Sequence, residues 1–276
     1  MSRIVLLTHT YDNFRGRTFL LSALARHWFE AGHEVKVAVG PGGWPQADIA
    51  VMHPDISVVP AAYADASRRY PLVVNAAATD IRKRRVSRNL VTPNDGWTGP
   101  VIVKTDLNCR GIPEAHAIDG FRRDGKRADL APGPVVFTHK PYPVLSSPRD
   151  VPDAVWNNAG LVVERFLPER DERGYWLRVW SFFGDRERCS RYCGREPIVK
   201  SADVIAREPA PVPDELRAER ERLGFDYGKF DFVVVDGKAI LLDANRTPSA
   251  PPPSPEMDAS NAHLAGGLDA MLRKAQ

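Results

Sequence analysis

The fold is decided by residues 227–248, which read Tyr227-Gly-Lys-Phe-Asp-Phe-Val-Val-Val-Asp-Gly-Lys-Ala-Ile-Leu-Leu-Asp-Ala-Asn-Arg-Thr-Pro248. Residues 230–235 form an apolar run rich in β-branched side chains, and residues 239–242 form a second apolar run. Asp236-Gly237 between them is a strong signal for a two-residue hairpin turn. The stretch therefore predicts two antiparallel strands joined by a tight turn.

Oxygen ligands gather at the open end of this predicted hairpin. Pairing about the turn brings Asp231 opposite the neighbourhood of Asp243, and Asn245 shares a face with Asp243 because alternate side chains of a strand point the same way. Two carboxylates and an amide suit Mg²⁺, which prefers a few carboxylates together with waters and phosphate oxygens. An ordinary hairpin with a polar end is the alternative that these residues alone leave open.

The hairpin resembles the last nucleotide motif of the ATP-grasp enzymes. In that motif an Asp, two apolar strands about a turn, an acid-x-Asn and a Pro follow one another, and Asp231, Asp243, Asn245 and Pro248 stand at the matching positions. The family more often has Glu where this chain has Asp243. The resemblance implies ATP and Mg²⁺ as cofactors, with Asp231, Asp243 and Asn245 as the metal ligands.

A second informative stretch is the apolar strand predicted for residues 100–104, which ends in Lys104 and leads into a polar loop with one glycine, Gly111. A lysine at a strand end offers a point charge to a polyphosphate, and loop N–H groups can cover phosphates. Pro-Val-Ile-Val-Lys resembles the ATP-grasp strand that carries such a lysine. Lys104 is therefore assigned to ATP and to catalysis, and Lys140 is a candidate second phosphate contact.

Residues 161–169 predict a buried strand that runs into an acid and then Arg-Phe-Leu. This pattern resembles the ATP-grasp hinge, where the acid and the following backbone bind adenine and a later acid binds ribose. The resemblance assigns Glu164 and residues 165–167 (Arg165, Phe166 and Leu167) to adenine. Asp171 is the ribose candidate by spacing, and Glu169 is the second choice. The alternative is an edge strand followed by a charged turn.

Arginines after the hinge are assigned to the reaction. Arg178 lies in an aromatic strand, where a charge costs stability unless an anion compensates it. The choice is between a protein carboxylate and a ligand group, and we expect the ligand, because charged groups in clefts are more often functional than those elsewhere. In glutathione-synthetase-like ATP-grasp proteins an arginine after the hinge belongs to the site, so Arg178 and, one strand later, Arg191 are predicted catalytic residues.

Four further cations are predicted to contact substrate. Arg15 and Arg17 follow the first strand, where open α/β sheets place ligands. Lys229 and Arg246 lie beside the acids of the hairpin.

The sequence predicts an α/β fold with an N-terminal Rossmann-like domain and α+β ATP-grasp lobes. Strand, helix and strand over residues 3–39 form a βαβ unit, and hence a parallel sheet. The predicted domains are residues 1–98 and 99–276, with residues 112–134 interpreted as a mobile insertion. The basic run at residues 82–85 is interpreted as a solvated helix face.

Composition excludes several classes of protein. Among 276 residues, 43% are hydrophobic and the net charge is +3, which is too small to argue for nucleic acid or an anionic membrane. No apolar run approaches the ~20 residues of a membrane span. Three cysteines, Cys109, Cys189 and Cys193, predict a reducing cytoplasm rather than a disulfide framework.

The resemblance implies a ligase in which ATP phosphorylates a carboxylate and an amine attacks the acylphosphate. The implied partners are small carboxylate and amine substrates, an amino acid or peptide among them, and a homodimer is left open. Two alternatives are an ATP-grasp kinase and a catalytically weak nucleotide-binding module. The second is suggested by the single glycine of the loop and by Asp243 in place of Glu.

Overall fold

The computed structural model describes residues 1–14, 16–128, 130 and 142–274, whose strands form three sheets. Among these residues, no helix combines the length and the apolar character that crossing a bilayer requires.

The N-terminal sheet consists of four parallel strands, β1 (Arg3–Thr8), β2 (Glu34–Val39), β3 (Ile49–Met52) and β4 (Val73–Val74). They lie in the order β2-β1-β3-β4, so the chain leaves β1 towards β2 on one side and returns to β3 on the other. Helix α1 (Leu20–Glu30) connects β1 to β2. The parallel sheet predicted from the βαβ pattern is confirmed.

The core of this sheet includes the C-terminal end of the chain. Helix α1 buries Leu24 and Trp28 against helices α7 (Pro255–Ala265) and α8 (Gly267–Lys274). The indole Nε1 of Trp28 donates to the carbonyl of Ala265. The last helices therefore share a core with the first domain, although the predicted division at residue 98 places them with the rest of the chain.

A small antiparallel sheet forms one wall of the cleft described below. Its strands are β5 (Val101–Thr105), β6 (Val144–Leu145) and β7 (Leu161–Arg165), in the order β6-β5-β7. The short helices α2 (Ala66–Arg69) and α3 (Lys83–Val86) precede this sheet in the chain. The short helix α5 (Asp153–Trp156) lies between β6 and β7 in the sequence. Alternate β-branched side chains of β5 and β7 pack into a core of their own with Val91 and Val151.

The largest sheet forms the opposite wall. Its strands are β8 (Glu169–Asp171), β9 (Gly174–Phe183), β10 (Arg186–Gly194), β11 (Val204–Pro209), β12 (Tyr227–Val235) and β13 (Lys238–Asn245). The order is β11-β10-β9-β12-β13, and β8 pairs with β9. Helix α6 (Asp214–Leu223) precedes β12 and buries Leu216 and Leu223 in the apolar core on this sheet.

The predicted hairpin is β12 and β13. Asp236 and Gly237 both have positive φ, 52° and 75°, which a two-residue turn of the mirror-image type requires. Asp231 is the direct partner of Asp243 in the register, which shifts by a bulge between Asp231 and Phe232. The two predicted metal ligands therefore face each other across the ladder.

Residues 112–134 begin with a helix that the interpretation as a mobile insertion missed. Helix α4 spans Ile112–Arg123 and lies against the first domain, where the ring of Tyr11 packs on Gly120 and its hydroxyl donates to Asp124. The buried residues of this helix, Glu114, Ala117 and Gly120, carry no apolar stripe that could have signalled it. Residues 129 and 131–134 lie outside the described part.

Candidate active site

A cleft of about 530 Å³ opens between the small and the large sheet. Its lining side chains come from α3, β5, the loop after β5, the end of β7 and the segment after it, β9, the hairpin and residues 197–199. They are Lys83, Ile102, Lys104, Asn108, Cys109, Arg110, Ile112, Tyr142, Arg165, Phe166, Leu167, Pro168, Trp176, Leu177, Pro197, Ile198, Val199, Asp231, Val233, Leu242, Asp243 and Asn245. The structure thus brings the predicted phosphate lysine, hinge segment and metal ligands to one place.

The two acids of the hairpin form the polar end of the cleft. Burial raises the pKa of Asp231, and its Oδ1 is buried with no partner among the described residues. Burial opposes ionisation of Asp243 as well, but the ammonium of Lys83 lowers its pKa below the ordinary value. Asn245 lies at the end of the same strand, and its Oδ1 accepts the N–H of Thr247 at 2.8 Å.

This donor set fits Mg²⁺ only together with phosphate. No group of three or more His, Cys, Asp or Glu side chains gathers as a metal site in the described residues. Mg²⁺ is usually held by one or two carboxylates plus substrate phosphates, and Asp231 offers a buried oxygen without a partner. Asp231, Asp243 and Asn245 therefore match that mode of binding rather than an all-protein cage.

Three lysines hold the acids of the cleft in ion pairs. Lys83 Nζ lies 2.6 Å from Asp243 Oδ1, and Lys229 Nζ lies 2.8 Å from Asp231 Oδ2. Lys104 Nζ lies 2.5 Å from Glu164 Oε2. Each of these three acids thus has the ammonium of a lysine as its partner.

Lys83 is the functional candidate that the sequence interpretation missed. It belongs to the basic run taken as a solvated helix face, but it is only 5% exposed. Its partner Asp243 is 160 residues away in the sequence, so no local pattern signals the contact. Lys83 and Lys104 both line the cleft.

Two of the predicted hinge residues, Glu164 and Arg165, form contacts within the protein. Glu164 is 1% exposed, and its Oε2 pairs with Lys104 while its Oε1 is buried without a partner among the described residues, so its assignment to adenine stays a prediction. The backbone of Arg165 exchanges hydrogen bonds with Asn89, whose carbonyl accepts from Arg165 N–H and whose amide donates to Arg165 O. Arg165, Phe166 and Leu167 line the cleft, and their assignment to adenine stays a prediction.

The anion that compensates Arg178 is a protein carboxylate. Arg178 Nε lies 2.9 Å from Glu169 Oε2 and its Nη2 lies 2.7 Å from Oε1, so the contact has two prongs. The same carboxylate accepts the N–H of Val234 at 2.7 Å. The preference for a ligand partner was wrong, because the pairing with Glu169 satisfies both groups without one.

Two other predicted residues are engaged on the same sheet. Asp171 accepts the N–H of Arg173, and the side chain of Trp176 lowers the pKa of Asp171. Arg191 pairs with Glu208 at 2.7 Å and lies 4.2 Å from the ring of Trp176. Arg178, Glu169, Asp171 and Arg191 are absent from the described lining of the cleft.

Of the four cations predicted to contact substrate, Arg246 lies in the interior of the protein. Arg246 is 0% exposed and donates to the carbonyls of Pro54, Ile56 and Ala78, so its assignment to substrate was wrong. Its role is structural, since it ties the end of the hairpin to the first domain.

The other cations differ in position. Lys229 pairs with Asp231 beside the cleft, and Arg17 pairs with Asp55 at the first domain. Arg15 and the phosphate candidate Lys140 lie outside the described residues.

The loop predicted to cover phosphates has an unusual backbone. Cys109, Arg110 and Gly111 are consecutive left-handed residues, with φ of 46°, 61° and 73°. Non-glycine residues in this region cost of order 1–3 kcal/mol each and persist where the surroundings enforce them. The guanidinium of Arg110 lies 5.1 Å from the ring of Tyr142 across the cleft. The loop therefore borders the cleft in a fixed form with only one glycine.

Comparison with known proteins shows the fold. D-alanine–D-alanine ligase from Bacillus anthracis matches all of this chain and 97% of its own length, at 12% identity and a TM-score of 0.53. The macrocyclase MdnC from Microcystis aeruginosa, bound with precursor peptide MdnA, matches 97% of this chain and 99% of its own, at 12% identity and a TM-score of 0.51. The sequence itself matches no family model and no curated protein. The chain has the ATP-grasp fold, as the resemblance predicted.

Proposed function

We propose that this protein is an ATP- and Mg²⁺-dependent ligase that activates a carboxylate as an acylphosphate and joins it to an amine. The observation that carries the proposal is one cleft that collects Lys83 and Lys104 with the facing acids Asp231 and Asp243. Lysines supply point charges for a polyphosphate, and paired acids suit a divalent cation. The groups come from separate segments of the chain, so their convergence is not a local accident.

The apolar part of the cleft suits the adenine of ATP. Ile102, Val233 and Leu242 line it together with residues 166–168. Flat apolar walls bury the base, and the polar end then receives the phosphates, with Lys83 and Lys104 as their contacts. Glu164 holds Lys104 in position through Oε2.

The chemistry needs no protein nucleophile. An oxygen of the substrate carboxylate attacks the γ-phosphorus and ADP leaves. The neutral amine then attacks the acyl carbon, phosphate leaves with the electrons of the broken C–O bond, and the nitrogen releases a proton to solvent. Lys83 and Lys104 stabilise the charge on the transferring phosphoryl group, and the cleft walls position the reactants. Mg²⁺, held by Asp231, Asp243 and Asn245, would supply further charge neutralisation when bound.

The named neighbours support ligation over phosphoryl transfer to a hydroxyl. One is a D-alanine–D-alanine ligase, and the other is a macrocyclase bound with a precursor peptide. We therefore propose an amino acid or peptide among the substrates. The glutathione-synthetase-like branch and a homodimer stay predictions. A reducing cytoplasm is the proposed location, because Cys109, Cys189 and Cys193 are all free thiols.

Calorimetry tests the nucleotide and metal assignment. Asp243→Asn and Asn245→Ala should each weaken binding of Mg–ADP by about 10-fold or more, because the first removes the charge of a carboxylate ligand and the second removes an oxygen ligand. Asp236→Asn is the matched control: it makes the same change in the exposed turn of the same hairpin, where Asn also tolerates positive φ. Unchanged Mg–ADP affinity in both cleft variants would contradict the metal assignment.

Product analysis tests the reaction. Amino acids and other carboxylates are screened, singly and in pairs, for substrate-dependent release of ADP. Phosphate together with an amide is the expected outcome. A phosphorylated hydroxyl compound would favour the kinase, and tight nucleotide binding without ADP release would favour a binding module.

A further inference from the structure

Two cations of the cleft have no carboxylate partner. The lysines and arginines that line the cleft are Lys83, Lys104, Arg110 and Arg165. Asp243 and Glu164 neutralise the two lysines, whereas neither arginine pairs with a carboxylate among the described residues. Arg165 belongs to the hinge segment, and its guanidinium lies 5.0 Å from the ring of Trp97. Arg110 lies in the loop after β5, which puts its charge closer to the proposed phosphate contacts.

The ring of Tyr142 connects Arg110 with both of these lysines. The guanidinium of Arg110 lies 5.1 Å from the centre of this ring. The hydroxyl of Tyr142 lies 3.4 Å from that of Thr105, which directly follows Lys104, and Tyr142 is also within electrostatic range of the Lys83 ammonium. Arg110 therefore belongs to the polar end of the cleft.

The backbone of the loop has few N–H groups left for a phosphate. Asn108 N–H donates to Ser57 Oγ at 2.8 Å, and Ile112 N–H donates to the carbonyl of Cys109. Residue 113 is a proline, which has no N–H. A loop that covers phosphates with its backbone needs such groups free. This loop instead presents a long cationic side chain to the cleft.

The contact with Tyr142 leaves the hydrogen-bond donors of Arg110 available. A cation–π attraction engages the charge and the face of the ring, and it uses no oxygen or nitrogen acceptor. A guanidinium carries five N–H groups in a planar fork, which matches the oxygens of a phosphoryl group in a two-pronged contact. The ring therefore holds the guanidinium at the cleft without consuming its capacity to bind an anion.

We propose that Arg110 is a catalytic residue of this protein: it binds the γ-phosphate of ATP and stays on that group while it is transferred to the substrate carboxylate. The bond between the γ-phosphorus and the bridging oxygen breaks, its electrons leave with ADP, and a carboxylate oxygen forms the new bond to phosphorus. Arg110 gains and loses no proton, and it stabilises the negative charge of the transferring oxygens. The inference rests on the proposed ATP-dependent function, to which it adds the group that recognises the γ-phosphate.

Two nucleotides that differ in the γ-phosphate test this role. The probes are Mg–ADP and Mg–adenylyl imidodiphosphate, an ATP analogue with a nitrogen bridge, and both are titrated by calorimetry. Arg110→Met should weaken binding of the ATP analogue by about 10- to 100-fold, because a charge-assisted contact is lost. Affinity for Mg–ADP should stay unchanged, since Arg110 contacts only the γ-phosphate.

Arg110→Gly separates the side chain from the backbone of the loop. Arg110 has a φ of 61°, which glycine adopts without strain, so this variant removes the guanidinium and keeps the loop conformation accessible. It should lose affinity for the ATP analogue as Arg110→Met does, and it decides the matter if the methionine variant does not fold. Arg122→Met is the matched control, since Arg122 lies exposed on the helix after the loop and pairs with Asp119.

The outcomes separate the two proposals. If wild-type protein binds neither nucleotide, the proposed function itself is contradicted. If it binds both, and the Arg110 variants bind the ATP analogue as tightly as wild type, only this inference is overturned. Equal weakening of both nucleotides would overturn it too, because Arg110 would then act on phosphates that ADP shares or on the fold. Full affinity for the analogue in Arg110→Gly alone would assign the γ-phosphate to the loop backbone, which also overturns the role of the side chain.

Discussion

Lys83 and Asp243 are 160 residues apart in the sequence, yet the ammonium of Lys83 lies 2.6 Å from a carboxylate oxygen of Asp243. Burial opposes the charge on Lys83, but Asp243 raises the pKa of Lys83 above its ordinary value. The ammonium occupies the side of Asp243 that a metal ion would need. If Asp243 binds Mg²⁺ as proposed, Lys83 competes with the metal until phosphate offers the lysine another partner.

Removal of Lys83 should have opposite effects on the binding of free Mg²⁺ and on the binding of Mg–ADP. Lys83→Met should strengthen binding of Mg²⁺ alone by about 10-fold, because Asp243 loses its competing cation, and should weaken binding of Mg–ADP, because a phosphate contact is lost. Calorimetric titration with Mg²⁺, with and without ADP, measures both effects. Lys36→Met is the control, since Lys36 pairs with Glu34 on an exposed strand. Unchanged affinity for free Mg²⁺ would contradict the competition.

Lys104→Ala should destabilise the fold as well as impair nucleotide binding. The sequence placed Lys104 at the end of a strand, and in the structure its ammonium pairs with Glu164, whose side chain is only 1% exposed. Leaving a buried carboxylate without its cation lowers the free energy of unfolding by about 3–5 kcal/mol. Urea unfolding of Lys104→Ala, Glu164→Gln and the double variant measures the cost. The double variant should recover much of the loss; additive losses would mean that the pair is unimportant for stability.

Arg178→Lys should lower stability and leave nucleotide binding intact. Lysine keeps the charge but cannot form the two-pronged contact with Glu169, which also anchors the N–H of Val234. We expect a loss of about 1–3 kcal/mol in the free energy of unfolding. Arg186→Lys is the control, because Arg186 forms only an exposed pair with Asp185. A stable Arg178→Lys protein with reduced turnover would restore Arg178 as a substrate contact.

Stability should fall in acid because of buried neutral histidines. Burial lowers the pKa of His53 from 6.5 to about 3, and both of its ring nitrogens lack partners among the described residues. The unfolded chain therefore binds a proton that the folded protein rejects, so stability is full above pH ~6.5 and declines towards pH ~3, by up to ~1.4 kcal/mol per pH unit.

His53→Leu should flatten this decline. The side chain lies among Phe14, Phe19 and Tyr227, so an apolar replacement loses no hydrogen bond. Asp12 acts in the opposite direction, since burial raises its pKa to about 8, and the effect is therefore measured as the difference between variant and wild type. Unfolding free energies at pH 7 and pH 4.5 provide the measurement, with the exposed His263→Leu as control. An identical pH dependence in His53→Leu and wild type would contradict the assignment.

Local chemistry made the fold predictable. Asp236-Gly237 encodes a turn within two residues, and the apolar runs beside it encode the strands, so the facing of Asp231 and Asp243 could be anticipated. Ion-pair partners could not be predicted in this way. Glu169 accepts the N–H of Val234, which is 65 residues away in the sequence. Arg246 is buried only because the first domain packs against the end of the hairpin. Helix α4 was not predicted either, because most of its residues are polar or small.

The contact between Trp28 and Ala265 has a consequence for synthesis on the ribosome. The two residues are 237 positions apart, so the apolar face of α1 emerges long before the helices that cover it have been translated. During this interval Leu24 and Trp28 lack their final neighbours from α7 and α8. The core around α1 is therefore completed only after the two later sheets have been translated, and chaperones that recognise exposed apolar segments have a long opportunity to bind there.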